Sequence, residues 1–212
     1  MIPAKICGIT RLADALAAAE LGAAAVGFVF YARSPRCLEV AQAAHISAKL
    51  PPQIARVGVF VNPDLQTLIL TAKNAGLTHI QLHGEEEVAL CKESPLPVIK
   101  AVRSPVEFDA YKNVSMAAFL IDSKTQDQFG GTGQLSDWNF SRQVKAHAPV
   151  ILAGGLSSSN IAQALATAQP DAVDLSSSVE SMPGIKDHHK LREFFAALRQ
   201  IEIAERQSSK IF

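Results

Sequence analysis

Cys7 and Asp122 each stand at the end of a short apolar run, Cys7 after AKI and Asp122 after AAFLI. A cysteine is a base only as its thiolate, whereas a carboxyl group kept protonated by partial burial can act as a general acid. Both residues also have a structural explanation, because free cysteines are usually buried in cores and aspartate is common in turns and at helix N-termini. These two residues alone do not decide between a catalytic role and a structural one.

Other apolar runs also end in polar or small residues. Arg36, in the segment SPR, has a guanidinium that could hold a carboxylate through two hydrogen bonds. His83 follows IQL, at a position where a histidine is more often satisfied by its neighbours than catalytic. Gly154-Gly155 after VILA and the serines 176–178 after AVDL offer amides and hydroxyls that could converge on an anion. A tight turn would explain either small-residue loop alone, but the pair favours a phosphate site.

The elements that must position these residues alternate along the whole chain. Apolar or β-branched runs predict eight strands, each followed by an amphipathic segment that predicts a helix, at about 26 residues per unit. This pattern predicts a single-domain (β/α)8 TIM barrel over residues 1–212, with a parallel eight-stranded sheet. A doubly wound open sheet is the alternative, but the turn after the first strand, ICGIT, lacks the GxGxxG pattern typical of it. The predicted strands are 3–8, 25–30, 55–61, 79–84, 97–102, 116–122, 149–155 and 172–178.

In such a barrel the carboxyl ends of all strands meet at one face, where active sites lie. Alternation with Leu120 predicts that Asp122 points inward, and the glycine-containing segment 123–138 after it predicts a lid. Lys5 and Lys100 are also predicted to point inward, where an unpaired charge is costly, and Asp174 is a candidate partner for Lys5. The last helix is predicted over 186–201, with a peripheral tail from residue 202.

Composition narrows the classes of partner and compartment. Twenty basic residues balance twenty acidic ones, so no net charge attracts nucleic acid or an anionic membrane surface. Three cysteines without CxxC spacing predict neither a disulfide framework nor a metal site. No apolar run has the length of a membrane span and no secretory signal pattern opens the sequence, which predicts a cytoplasmic location.

The ordered set of motifs resembles the phosphoribosylanthranilate isomerase family of tryptophan biosynthesis. It runs through KICGIT, GFVFYARSPR, VGVFVN, IQLHGEE, FLIDSK…GGTG, ILAGGL, DLSSSVES and PGIKD, and so covers nearly the whole chain. The resemblance implies a cofactor-independent Amadori rearrangement of N-(5-phosphoribosyl)anthranilate to an aminodeoxyribulose phosphate. It also implies a phosphorylated small-molecule substrate, a monomer or homodimer, and an indole-glycerol-phosphate synthase as functional neighbour.

Roles for individual residues follow from the same resemblance. Asp122 would be the general acid that opens the furanose ring, and Cys7 the general base that takes the C2 proton. Arg36 would hold the anthranilate carboxylate. The phosphate would lie against the backbone of Gly154, Gly155, Ser177 and Ser178. His83, Asp174 and Ser176 stand at the same strand ends and are predicted to contact the substrate as well.

Two positions depart from the family pattern. Ser178 stands where the family usually has glycine, which raises the question whether serine fits the backbone there or weakens phosphate binding. Cys37 stands where an aromatic residue is frequent, and we interpret Cys37 and Cys91 as non-catalytic. The alternatives are the related histidine-pathway sugar isomerase, which normally has aspartate in place of Cys7, a non-catalytic phosphate-binding barrel, and a redox sensor that uses Cys7.

Overall fold

The computed structural model describes residues 1–122 and 137–208. The predicted lid lies outside the described residues except for Asp137 and Trp138, and the chain from residue 209 lies outside them too. Within the described part, no helix combines the length and the apolar character needed to cross a bilayer.

Eight parallel strands close into a barrel in chain order, with β1 hydrogen-bonded to β8. They are β1 (Ala4–Cys7), β2 (Ala25–Val29), β3 (Ala55–Phe60), β4 (His79–Leu82), β5 (Val98–Val102), β6 (Ala118–Ile121), β7 (Val150–Leu152) and β8 (Ala172–Leu175). This confirms the predicted (β/α)8 barrel. The last two strands are shorter than predicted, because the glycines after β7 and the serines after β8 form loops instead of continuing the sheet.

One helix follows each strand. The helices are α1 (Leu12–Leu21), α2 (Val40–Ser47), α3 (Leu65–Ala75), α4 (Val88–Glu93), α5 (Pro105–Tyr111), α6 (Trp138–Lys145), α7 (Ile161–Ala168) and α8 (His188–Ser208). The predicted end of the last helix at residue 201 is wrong. The helix continues to Ser208 because the residues after 201 include good helix formers and neither glycine nor proline.

A hairpin between β8 and α8 was not predicted from the sequence. A 3-10 helix (Ser177–Val179) leads into β9 (Glu180–Met182), which pairs antiparallel with β10 (Ile185–Lys186). The sequence predicts Lys186 at the start of the last helix, but Lys186 lies in β10 instead. The helix begins after Asp187, whose carboxylate accepts hydrogen bonds from the amides of His189 and Lys190 at 2.8 and 3.2 Å.

Two apolar layers hold the barrel together. The larger one lies between the strands and the helices and includes Phe28, Phe60, Phe119, Phe194 and Phe195. The smaller one fills the barrel interior with Val57, Ile99, Ala101, Leu120 and Ile151. Leu120 belongs to the inner layer, so the inward alternation predicted for Asp122 is confirmed, and the cavity that Asp122 lines lies above that layer.

The inward direction predicted for Lys100 is wrong. Val98 and Val102, on the same face of β5 as Lys100, pack in the outer layer, so Lys100 points toward the helices. Its ammonium donates to the Glu86 carboxylate at 2.9 Å and to the Gly84 carbonyl at 2.7 Å. All of β5 is buried, so its sequence VIKAV has no polar alternation that would reveal which face is inside.

Candidate active site

A cavity of about 490 Å³ opens at the carboxyl ends of the strands. Every predicted site residue lines it: Cys7, Arg36, His83, Asp122, Gly154, Gly155, Asp174, Ser176, Ser177 and Ser178. The barrel brings these residues together because all parallel strands end at the same face. Gln81 and the segment YARSPR, which holds Tyr31 and Arg33, stand at predicted strand ends, but the sequence predicted no role for these three residues, which line the cavity as well.

Cys7 is the last residue of β1 and is 8% exposed. Two glycines make room around it. A Cβ at Gly27 would lie 2.8 Å from the Cys7 sulfur, and a Cβ at Gly8 would lie 2.6 Å from Cδ of Arg36. Gly8 also has a φ of 75°, in the left-handed region that glycine adopts without strain. The turn after the first strand therefore depends on glycine, and it places the thiol in the cavity beside the arginine.

Burial and the neighbouring charges act on the pKa of Cys7 in opposite directions. Burial raises the pKa of the Cys7 thiol above its ordinary value, and Lys5 is the strongest group acting in the opposite direction. The Lys5 ammonium donates to the Asp174 carboxylate at 2.9 Å, which is the partnership predicted from the sequence. Burial alone would lower the pKa of Lys5, but Asp174 and Cys7 raise it overall, so Lys5 is a cation. Cys7 in the resting site is therefore a thiol with a cation close by.

Asp122 lies across the cavity from β1 and faces His83. Its Oδ2 is 3.2 Å from Nε2 of His83, within ion-pair range but without the alignment of a good hydrogen bond. The other ring nitrogen of His83, Nδ1, contacts the Gln81 side-chain amide at 3.0 Å. All three side chains are buried. Gln81 and His83 alternate on β4 and its carboxyl end, so the strand itself holds the imidazole against the carboxyl group.

Arg36 is held by a residue that sequence reasoning missed. Its Nε and Nη2 donate to the carboxylate of Glu180 at 3.0 and 2.7 Å. Lys186 donates to the same carboxylate at 2.8 Å and also to the carbonyl of Cys7. Burial alone would raise the pKa of Glu180, but the hydrogen bonds of Arg36 and Lys186 hold it below its ordinary value. Glu180 and Lys186 are in the motif segments DLSSSVES and PGIKD, which were the only signal in the sequence.

The loop after β7 presents free backbone donors. Gly154 and Gly155 have φ values of 79° and 64°, both in the left-handed region. The Asn160 side chain donates to the Gly155 carbonyl at 2.8 Å and accepts from the Ser157 amide at 2.8 Å, which fixes the turn. Among the described residues, the amides of Gly154 and Gly155 find no acceptor. They are thus available to an anion in the cavity.

The serine loop after β8 lies beside this turn. The hydroxyls of Ser176, Ser177 and Ser178 are half-buried, and none of them bonds to another described residue. Ser178 lies in the short 3-10 helix and does not have a positive φ. Serine therefore fits the backbone without strain at the position where the family usually has glycine. Together the two loops supply amides and hydroxyls, the donors typical of phosphate sites.

A family model described as N-(5'-phosphoribosyl)anthranilate (PRA) isomerase matches residues 4–197. The chain belongs to the phosphoribosylanthranilate isomerase family. A phosphoribosylanthranilate isomerase from Syntrophus aciditrophicus strain SB is 43% identical over 205 residues, which cover 95% of this chain and 89% of that protein. The match over nearly the whole length confirms the resemblance seen in the motifs.

Solved structures of phosphoribosylanthranilate isomerases agree with the fold. The crystal structure of the enzyme from Thermotoga maritima has a TM-score of 0.86 and 38% identity, and the match covers 94% of this chain and all of that one (100%). A second structure, of a phosphoribosylanthranilate isomerase in complex with reduced 1-(o-carboxyphenylamino)-1-deoxyribulose 5-phosphate, has a TM-score of 0.83 and 37% identity. That match covers 94% of this chain and 100% of the other.

Proposed function

We propose that this chain catalyses the isomerisation for which its family is named, with Asp122 as general acid and Cys7 as general base. The substrate would be N-(5-phosphoribosyl)anthranilate and the product an aminodeoxyribulose phosphate. The observation that carries the proposal is the presence of a carboxyl group, a thiol, a guanidinium and two anion-binding loops around one cavity. These groups match the reacting and binding parts of such a substrate.

The first step is ring opening. Asp122 donates its proton to the furanose oxygen, the C1–O bond breaks, and the nitrogen lone pair forms a Schiff base at C1. A buried carboxyl group is more easily kept protonated than an exposed one, and Asp122 is buried at the cavity wall. Nε2 of His83 lies 3.2 Å from Oδ2 of Asp122 and restricts the position of this carboxyl group.

The second step is removal of the C2 proton. The Cys7 thiolate takes this proton, and the electron pair of the C2–H bond moves between C1 and C2 to give an enolamine. The enolamine then tautomerises, with a proton added at C1 and a ketone formed at C2. C2 is oxidised to the ketone while C1 is reduced within the same molecule, so the reaction is an intramolecular oxidoreduction and balances without an external oxidant or reductant.

Different groups in the cavity would bind the two anionic ends of the substrate. Arg36 uses Nε and Nη2 for Glu180, and within the described residues its Nη1 donates to no acceptor. Nη1 would hold the anthranilate carboxylate. The amides of Gly154 and Gly155 and the hydroxyls of the serine loop would hold the phosphate. Ser176 and Asp174 line the same cavity and would also contact the substrate.

The test is the isomerisation itself, with substrate made in the assay and followed through the loss of its fluorescence. Cys7→Ser should lower turnover by about 10³-fold or more, because the hydroxyl is a far weaker acid than the thiol and forms no usable alkoxide base. Affinity for the reduced product analogue should stay within a few-fold of the wild-type value. Cys37→Ser is the matched control, since Cys37 is exposed and does not line the cavity. An active Cys7→Ser variant would remove Cys7 from the mechanism.

The remaining predictions about partners and place in the cell concern properties that the fold does not test. A monomer or homodimer, an indole-glycerol-phosphate synthase neighbour and a cytoplasmic location all stay predictions. The three cysteines are free thiols, with Cys7 and Cys91 buried and Cys37 exposed.

A further inference from the structure

Lys5 lies directly below Cys7 inside the barrel. The two residues alternate on β1 and therefore point to the same face, and Lys5 is the register partner of Asp174 on β8. The Cys7 sulfur and Cε of Lys5 both lie within 3.1 Å of the point that a Cβ on Gly27 would occupy. The ammonium end of Lys5 and the sulfur thus share the space that this glycine leaves open.

The pair formed by Lys5 and Asp174 is poorly explained by stability alone. Its side chains are only 4% and 9% exposed, and the second carboxylate oxygen of Asp174 has no hydrogen-bond partner among the described residues. A buried ion pair with an unsatisfied oxygen contributes little to stability compared with apolar packing. Apolar side chains, among them Val57, Leu120 and Ile151, also fill the barrel interior and hold the strands together without charges.

We propose that Lys5 is a positioning residue for Cys7: its ammonium, held by Asp174, is the counter-ion that stabilises the Cys7 thiolate when the base forms. This inference rests on the proposed function, in which Cys7 is the base. It also assigns a role to Asp174 beyond contact with the substrate. The Asp174 carboxylate holds the Lys5 ammonium in place, but it also competes with the Cys7 thiolate for the interaction with that ammonium.

Other charged and titratable groups also lie near Cys7. Lys186 reaches the Cys7 carbonyl from β10, and Arg36, His83 and Asp122 line the same cavity. Of these, Lys186 also lowers the pKa of Cys7, but less than Lys5 does, whereas Asp174 raises it. Burial raises the pKa of Asp174, and Lys5 is the first group that opposes this rise. Lys5 is thus the main favourable charge for both anions.

The proposal predicts shifts of opposite sign for two substitutions. Lys5→Met keeps the length of the side chain and removes the charge, so the Cys7 pKa should rise. Asp174→Asn leaves Lys5 with Cys7 as its nearest anion, so the Cys7 pKa should fall. Each change should be on the order of one unit, which is about tenfold in thiolate fraction at a fixed pH below the pKa. If the ion pair were purely structural, both variants would lose stability, and the Cys7 pKa would not shift in opposite directions in the two variants.

The measurement is the rate of alkylation by iodoacetamide between pH 7 and pH 10.5, read residue by residue by mass spectrometry of the peptides. Cys37 in the same molecule is the internal control, because Lys5 does not contribute to its pKa. At pH 8 the rate at Cys7 should fall about tenfold in Lys5→Met and rise about tenfold in Asp174→Asn, with Cys37 unchanged. The pH profile of kcat should shift in the same directions.

The outcomes separate the inference from the proposed function. Cys7 profiles that coincide in wild type, Lys5→Met and Asp174→Asn would overturn the role of Lys5. If Lys5→Met fails to fold, Asp174→Asn alone decides. An alkylation rate at Cys7 that does not rise in Asp174→Asn would contradict a competition between Asp174 and the Cys7 thiolate for the Lys5 ammonium. If the thiol profiles shift as expected but wild type does not isomerise the substrate, the pairing stands and the proposed function fails.

Discussion

Replacing Glu180 with glutamine removes the negative charge between two cations while nearly keeping the size of the side chain. Glu180 accepts from Nη2 of Arg36 at 2.7 Å and from Lys186 at 2.8 Å, and its side chain is 4% exposed. It also accepts from the amide of Gly184 at 3.2 Å, in the turn of the hairpin. The substitution therefore perturbs both the arginine in the cavity and the hairpin that carries the glutamate.

The size of the effect follows from the burial of these contacts. Removing one partner of a buried ion pair typically costs about 3–5 kcal/mol. Glutamine retains part of this because its amide oxygen still accepts a hydrogen bond, so we expect the free energy of unfolding to fall by about 2–3 kcal/mol. For a chain of this length each kcal/mol corresponds to roughly 2–4 °C, so Tm should fall by about 4–12 °C.

The effect on activity should appear mainly in KM. Without Glu180 the guanidinium of Arg36 loses the group that orients it, and its hold on the substrate carboxylate weakens. We expect KM to rise by about tenfold, which corresponds to about 1.4 kcal/mol of binding, while kcat changes by less. Calorimetry gives Tm, and the fluorescence assay gives KM and kcat.

A matched control is Glu193→Gln, which removes a carboxylate from an exposed pair with His189 on α8. Exposed pairs contribute little, so this variant should keep both Tm and KM close to wild type. If Glu180→Gln behaves like Glu193→Gln in both measurements, Glu180 does not anchor Arg36 and the reasoning is refuted.

Two further predictions concern the phosphate loop and the thiol. Ser178→Gly should raise KM by up to about tenfold, because it removes a hydroxyl that can bind phosphate and relieves no backbone strain; a large fall in KM would show that serine impairs the site. Because burial raises the pKa of Cys7, the thiolate fraction should increase about tenfold per pH unit up to that pKa. Proton abstraction should speed up accordingly, so the single-turnover rate of isomerisation should rise from pH 7 to pH 9; a single-turnover rate that does not change over this range would contradict a thiolate base.

The architecture and the cavity were accessible from the sequence because they depend on local patterns. Alternating apolar runs and amphipathic segments predict the barrel, and the barrel brings every strand end to one face. Alternation was enough to place Asp122 inward, since Asp122 stands two residues after Leu120 and directly follows the end of β6. The turn predicted after the first strand, at ICGIT, likewise marked the place where Cys7 meets the cavity, and its Gly8 has the positive φ that such a turn needs.

Strand faces and element ends were less accessible. Lys100 was placed inside the barrel and lies outside it, because a strand buried on both faces has no polar alternation to orient it. The hairpin after β8 was missed because strands of two or three residues are too short to show a period.

By itself the sequence determined the fold class, the family and many of the residues that line the cavity, because these follow from periodicity and from ordered motifs. Only the tertiary structure decided how Arg36 is held. The candidate pair of Lys5 and Asp174 followed from the predicted barrel, because closure places β8 beside β1. Arg36 meets Glu180 across 144 positions of the chain, in a hairpin that lies outside the barrel strands, and no local pattern in the sequence encodes that contact.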